Sequence, residues 1–326
     1  MSLKNIPPVR YTLQNVLISL GTVVSSVSSL ALTAGVILPL SIARNFVPVN
    51  LLQGPQPRRV ILVVGASSGI GYEVTKIYAA QPETTIIAAS SKPAKVKEAV
   101  TSLGKTQATI VTTKLDLKSG PQKISDKVKE LEADHGPITH LYAVSGISNH
   151  LDSAKPWGLE VTNEMIDVNI KGTVATVITL YDLMKERGFG KICIVGSVAG
   201  YSAPANMISY ASTKAFINTF ATSLRAIASH EQNGVNVVCV APGFIKTRMT
   251  DRMRSQGSTM PGFEFANAEG MAQAMVDGVE QDGVGLVSWP LRQSVLMYAL
   301  QGLNPLCDTL GRLLTFKAKV SGKKIT

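Results

Sequence analysis

The chain is short of the residues that build metal centres and covalent frameworks. Its 326 residues include 3 cysteines and 4 histidines. Cys193, Cys239 and Cys307 lie far apart, with no CxxC pair and no zinc-ligand spacing. That excludes a disulfide scaffold and a zinc ribbon. Cys193 and Cys239 sit inside apolar runs and read as small buried hydrophobes. His135, His140, His150 and His230 are scattered among loop-like residues and define no metal site. There is no internal repeat and no low-complexity tract, so solenoid and linker classes are set aside.

Acids are missing from residues 1–59, which carry Lys4, Arg10, Arg44, Arg58 and Arg59. Residues 283–326 carry Arg292, Arg312, Lys317, Lys319, Lys323 and Lys324 against Asp308 alone. The net charge of +10 therefore resides at the two ends, and 60–282 is balanced. A balanced centre excludes the basic stripe of a nucleic-acid binder. Basic ends beside apolar segments suit an anionic membrane surface. Solubilising tails are the plainer alternative.

Charge is absent altogether from residues 11–43. The apolar stretch at 16–40 exceeds the ~20 residues a bilayer needs. Three readings compete: a membrane anchor, a cleaved signal peptide, or a hairpin in one leaflet, with Gly35 and Pro39 as the kink. The stretch is too long for a leader and lacks a clean small-residue cleavage site, which favours the anchor. Residues 45–59 follow as a linker, broken by Pro48, Gly54, Pro55 and Pro57.

From Val60 onward, strand-like and helix-like segments alternate. Apolar runs occur at 60–64, 85–89, 109–113, 138–144, 191–195 and 235–241. Helical periodicity occupies 71–80, 121–134, 159–186 and 211–230. This alternation predicts an α/β fold with a Rossmann-type, doubly wound parallel sheet, covered on both faces. The expected division is 1–57 as anchor and linker, 58–255 as dinucleotide-binding catalytic domain, and 256–326 as substrate lid and apolar, basic C-terminal segment.

The first strand runs into Gly65-Ala66-Ser67-Ser68-Gly69-Ile70-Gly71 and then a helix. Glycines there let the backbone approach a pyrophosphate, and the helix turns its free N–H groups toward the anion. Ser67 and Ser68 can add hydroxyl donors. The second strand ends in Ser90-Ser91-Lys92 and lacks the acid that usually holds the 2′-hydroxyl of NAD. Small hydroxyls with Lys92 suit a 2′-phosphate, so NADP(H) is preferred over NAD(H).

Tyr210 and Lys214 stand four residues apart on a predicted helix, which puts them on one face. A nearby ammonium lowers a phenol's pKa, and a phenol so shifted can exchange a proton with a carbonyl or alcohol. Ser197 follows the fifth strand, Asn169 lies upstream, and Pro242-Gly243 closes the sixth strand with Thr247 just beyond.

Gly65, Gly69, Gly71, Asn169, Ser197, Tyr210, Lys214 and Pro242-Gly243, in that order, resemble the short-chain dehydrogenase/reductase family over about 58–250. The resemblance implies a catalytic set of Asn169, Ser197, Tyr210 and Lys214. Tyr210 would be the general acid/base and Ser197 would hold the substrate carbonyl. Lys214 would bind the nicotinamide ribose, and Asn169 would support a water-linked proton relay. Asp116 would touch the adenine, Gly146 would give the cofactor access, and Thr247 with the backbone around Ile245 would meet the nicotinamide amide and phosphates. Two departures are visible: Ala143-Val144-Ser145-Gly146 replaces the frequent Asn-Asn-Ala-Gly, and Val64 replaces a frequent Thr.

Residues 248–283, with Met249, Met253, Met260, Phe263 and Phe265, read as a substrate lid, with core packing as the alternative. The apolar segment 284–316 would pack on the domain or dip into a membrane interface. The terminal Lys323-Lys324-Ile325-Thr326 resembles a dilysine retrieval signal of the endoplasmic reticulum. Together these features lead to a reticulum-membrane oxidoreductase, facing the cytosol, that acts on a small hydrophobic ketone or secondary alcohol. Membrane lipids are its expected partners, nucleic acid is not, and homo-oligomerisation stays open. The 3-ketosphinganine reductases and the hydroxysteroid and retinol dehydrogenases share this layout. A non-catalytic cofactor-binding protein is the rival reading.

Overall fold

The computed structural model describes residues 8–46, 58–148, 158–202, 204, 207–255 and 264–301. Residues 47–57 of the expected linker, Met260, Phe263 and the tail with Lys323 and Lys324 lie outside them.

Helix α1 (Val9–Arg44) is a single 36-residue helix, none of it buried, and it is long and apolar enough to cross a membrane. At ~1.5 Å per residue it is roughly 54 Å long, beyond the ~30 Å hydrocarbon core. Four of its hydroxyls bond within the helix: Thr12, Ser19, Thr22 and Ser26 each donate to the carbonyl four residues back. Such bonds lower the cost of setting a hydroxyl against lipid. Pro39 does not break it. A π-helical turn at Thr33–Ile37 just precedes the proline, where the ring would crowd the carbonyl of residue 35.

After the linker come β1 (Arg59–Val64), α2 (Gly69–Ala79), β2 (Thr84–Ser90), α3 (Pro93–Thr101), β3 (Thr109–Lys114), α4 (Pro121–His135) and β4 (His140–Ala143). Then follow α5 (Leu159–Met165), a π-helical stretch (Ile166–Gly172), α6 (Thr173–Glu186), β5 (Gly190–Val195), α7 (Ala199–Ser202) and α8 (Ile208–Glu231). The last are β6 (Val235–Pro242), α9 (Arg248–Ser255), α10 (Ala268–Glu280), β7 (Leu286–Trp289) and α11 (Leu291–Gln301).

All strands are parallel, in the order β3-β2-β1-β4-β5-β6-β7. Each face carries its own core. On one, Ile124, Val128, Val177, Leu180, Ile217 and Leu224 of α4, α6 and α8 pack on Leu62, Leu141 and Ile192. On the other, Val74, Tyr78, Val96, Met271 and Met275 of α2, α3 and α10 pack on Ile61, Ile86 and Val238. Strand order reverses between β1 and β4, and ligands of such sheets bind in the crevice beyond the strands' carboxyl ends at that point.

Three expectations are revised. The sheet has a seventh strand, β7, inside what read as an apolar tail. Within 248–283 the core-packing alternative holds for α10: Met271, Ala272, Met275 and Val279 are fully buried against the sheet, so the core runs well past 255. The helical stretch 159–186 is not one regular helix, because π-helical hydrogen bonding interrupts it at Ile166–Gly172.

Candidate active site

At the end of β1 the chain turns through Gly65 and Gly69, with φ of +103° and +58°, a region L side chains rarely adopt. A Cβ on Gly65 would stand 2.9 Å from the Ser145 nitrogen, because the end of β4 packs directly on the turn. A Cβ on Gly69 would meet Thr247 Cγ2 at 3.2 Å, which places the loop after β6 at the same spot. Ser68 caps α2 without a side-chain hydrogen bond. The first-turn N–H groups of α2, at Gly69, Ile70 and Gly71, thus face the crevice unspent by a cap, as an anion cradle requires. The residues fit a dinucleotide's pyrophosphate.

Ser90 and Lys92 close the cradle from β2. The Ser90 hydroxyl lies 3.5 Å from that of Ser67 and accepts from the Lys92 amide at 3.3 Å. Leu115 N donates to Ser90 O at 3.1 Å, so the turn after β3 lies alongside. In that turn Asp116 is half-buried and its carboxylate accepts from the Lys118 amide at 3.0 Å.

Asn169 lies in the π-helical stretch and is buried. Its carboxamide grips the backbone of Ile147 at both ends, accepting from N–H at 2.8 Å and donating to C=O at 2.9 Å. It also donates to Thr213 Oγ1 at 3.1 Å, and Thr213 donates to the Tyr210 carbonyl at 2.8 Å. A Cβ on Gly146 would stand 3.3 Å from Lys214 Nζ and 3.4 Å from Asn169 Oδ1. Glycine is thus what lets the β4 loop come down on these two side chains.

Ser197, just past β5, and Tyr210 of α8 are close enough for the serine hydroxyl to act on the phenol. One turn beyond Tyr210, Lys214 is buried, donates to Val195 O at 2.8 Å, and holds its Nζ 5.8 Å from the tyrosine ring centre. Burial drops the Lys214 pKa to about 8. The phenol moves opposite to the expectation: burial raises its pKa, and the Ser197 hydrogen bond only tempers this. The physical reason is that Lys214, itself short of solvation, directs its proton to a backbone carbonyl rather than to the phenol oxygen.

Pro242, Gly243, Ile245 and Thr247 line the end of β6. Ile245 is buried and bridges to Ala266, while Thr247 N donates to Thr250 Oγ1 at 2.8 Å. Sequence reasoning missed the residues that hold this set in place. Asn218 is buried one turn past Lys214 and clamps Ser197, accepting from its N–H at 3.3 Å and donating to its C=O at 3.0 Å. Gln293 of α11 accepts from Phe244 N at 2.7 Å and donates to Glu264 O at 2.9 Å. The four-residue step from Lys214 was the available signal for Asn218; nothing local marked Gln293. No group of three or more His, Cys, Asp or Glu side chains that could hold a metal occurs among the described residues.

Comparison with known proteins agrees with this geometry. An uncharacterized oxidoreductase of Myxococcus xanthus is 28% identical over 264 residues, covering 78% of this chain and 97% of its own. A Drosophila melanogaster dehydrogenase/reductase SDR family protein 7-like is 30% identical over 220 residues, 66% of each chain. Among solved structures, a Sphingobium yanoikuyae short-chain dehydrogenase in complex with NADPH superposes with a TM-score of 0.63 at 21% identity, covering 75% of this chain and 94% of that one. A Brucella melitensis 3-ketoacyl-(acyl-carrier-protein) reductase complexed with NADH gives a TM-score of 0.61 at 19% identity, covering 72% and 98%. The family model for short chain dehydrogenase matches residues 59–258, which spans the glycine turn, Asn169, Ser197, Tyr210 and Lys214, and the chain belongs to that family.

Proposed function

We propose that this oxidoreductase is a membrane-anchored, NADP(H)-dependent enzyme that interconverts a lipid-like ketone and its secondary alcohol. The observation that carries the chemistry is buried Lys214 holding its Nζ 5.8 Å from the Tyr210 ring centre, with Ser197 beside the phenol at the carboxyl end of β5. The nicotinamide dinucleotide, when bound, supplies or accepts the hydride. Tyr210 Oη gives its proton to the carbonyl oxygen during reduction and takes one from the alcohol during oxidation. A phenol whose pKa is raised by burial is fully protonated at neutral pH, as an acid must be in the reductive direction. Ser197 Oγ orients the substrate oxygen against Tyr210. Lys214 offers its remaining donors to the ribose, and Asn169 positions the β4 loop through Ile147.

Gly65, Ser67, Ser68, Gly69, Ile70 and Gly71 hold the pyrophosphate in this reading. Ser90 and Lys92 receive the 2′-phosphate, since the end of β2 offers hydroxyls and a cation but no carboxylate. Asp116 borders the adenine. Gly146, Pro242, Gly243, Ile245 and Thr247 surround the nicotinamide. The lipid-like substrate rests on α1, which would keep the site at a membrane, and on the aromatic pair Phe244–Phe265 with ring centres 5.8 Å apart. We place the enzyme in the endoplasmic-reticulum membrane with its catalytic domain in the cytosol.

NADPH consumption measured on long-chain lipid ketones and on small polar ketones tests the reading. Tyr210→Phe is expected to lose at least a hundredfold in turnover while still binding cofactor, in line with the ~10²–10⁴ typical of acid–base groups. Undiminished turnover in Tyr210→Phe overturns the proton assignment, far tighter binding of NADH than NADPH overturns the cofactor choice, and activity confined to small polar ketones overturns the lipid substrate.

A further inference from the structure

Helix α11 is turned inside out. Its polar Gln293 and Ser294 are buried at 5% and 3% exposure, whereas Leu291, Val295 and Leu296 stand 72%, 60% and 43% exposed. Both of these buried polar side chains are engaged: Gln293 holds Phe244 and Glu264, Ser294 donates to Pro290 O, and Ser288 donates to Ser294. Met297 packs with Val198 and Ala241 beside the catalytic serine. Leu286, at the start of the edge strand β7, is also 48% exposed.

The same edge of the sheet carries a set of cations at its other end. Arg44, the last residue of α1, donates to Asp282 O at 2.8 Å. Arg225 donates to Gly283 O at 3.3 Å, and its guanidinium lies flat where a Cβ on Gly285 would stand. Arg292 extends from α11 into solvent. Residues 283–301 contain no acid. Arg44, Arg225 and Arg292 form no ion pair with an acid among the described residues. An apolar face at one end of this edge, with cations at the other where the apolar helix ends, has the chemistry of an anionic bilayer surface.

We propose that the β7 edge of the catalytic domain lies against the membrane. Leu286, Leu291, Val295 and Leu296 enter the interface, and Arg44, Arg225 and Arg292 stand at headgroup level. This rests on the reading of α1 as a membrane anchor and deepens the proposed function. Because α11 packs on Val198 and Phe244, docking would hold the catalytic serine one helix away from the lipid.

The full-length protein in vesicles of phosphatidylcholine with about one-third phosphatidylserine tests this, in a Cys307→Ser background that leaves only buried cysteines. Single nitroxide labels are placed at Val295→Cys, at Lys114→Cys on the opposite sheet edge, and at Val23→Cys in α1. Relaxation by oxygen, which partitions into lipid, is compared with relaxation by a water-soluble nickel chelate. The label at 295 is expected to be relaxed severalfold more by oxygen than by the chelate, and the label at 114 to show the reverse. If 23 reads as lipid while 295 reads as water, the docking proposal fails and the anchor stands. If 23 reads as water, both fail. Shielding of 295 from both reagents marks a second protein copy on this face and overturns the proposal.

Discussion

Tyr210 and Lys214 stand one helical turn apart, and burial shifts their pKa values in opposite senses by favouring the neutral form of each. For Lys214 this has a consequence for stability. Its folded value of about 8 lies below the ordinary 10.5, so between these values the unfolded chain binds the extra proton. Stability therefore rises with pH across that window, and the whole cost of the buried charge is present below it. Lys214→Met removes the titration, so its melting temperature relative to the parent is expected to be most favourable near about pH 7 and to lose ground toward about pH 10. A pH-independent difference between the two melting curves contradicts the assignment. Asn218 offers a second test at this scale. Replacing it with Ala leaves the N–H and C=O of Ser197 without their partners, at about 1–3 kcal/mol for each group left unsatisfied. Asn218→Ala should lower the urea midpoint and also kcat, because the Ser197 hydroxyl loses its fixed place.

At the scale of elements, α10 separates core from lid. Met275 is fully exposed to neighbours and not to water, at 0% accessibility. Met275→Ala is expected to cost about 2–5 kcal/mol in equilibrium unfolding, as in other buried large-to-small changes. A loss below half a kilocalorie, with altered KM, would instead describe a mobile cover. The first six strands were legible from sequence because each is a short apolar run between turn signals. β7 was not: Leu286–Trp289 is four residues long and joins an apolar stretch on both sides, so no pattern marks its ends. The π-helical stretch was equally hidden, since hydrogen-bond register within a helix leaves no trace in apolar spacing. It matters because it is the backbone that carries Asn169 to Ile147.

The whole molecule joins an unburied apolar helix to a domain whose two cores are complete without it. Among the described residues, Arg44 ties the helix to the domain by donating to the Asp282 carbonyl. Removal of residues 1–46 is expected to shift the protein from the membrane pellet to the soluble fraction and leave the domain's thermal midpoint within about one degree. Co-unfolding of the truncated domain would show that α1 contributes to the core. The orientation of that domain on the membrane also belongs to this scale, because the apolar face of α11 and the cations near Gly283 are far apart in character and come together only along the β7 edge.

The order of Gly65, Asn169, Ser197, Tyr210 and Lys214 determined the family and the sheet that carries it, because those spacings put Gly65 and Ser197 just past β1 and β5 and the other three on the helices that flank them. The apolar run at 16–40 likewise determined that one helix would be long enough to span a bilayer. What only the tertiary structure decided was the company each residue keeps. Asn218 and Gln293 are ordinary amides in sequence and become the clamps on Ser197 and Phe244 once α8 and α11 pack against the strand ends. The direction of the Tyr210 pKa shift was decided the same way: spacing brings the lysine near, but solvation sets the energy of a charge, and burial is a property of the folded whole.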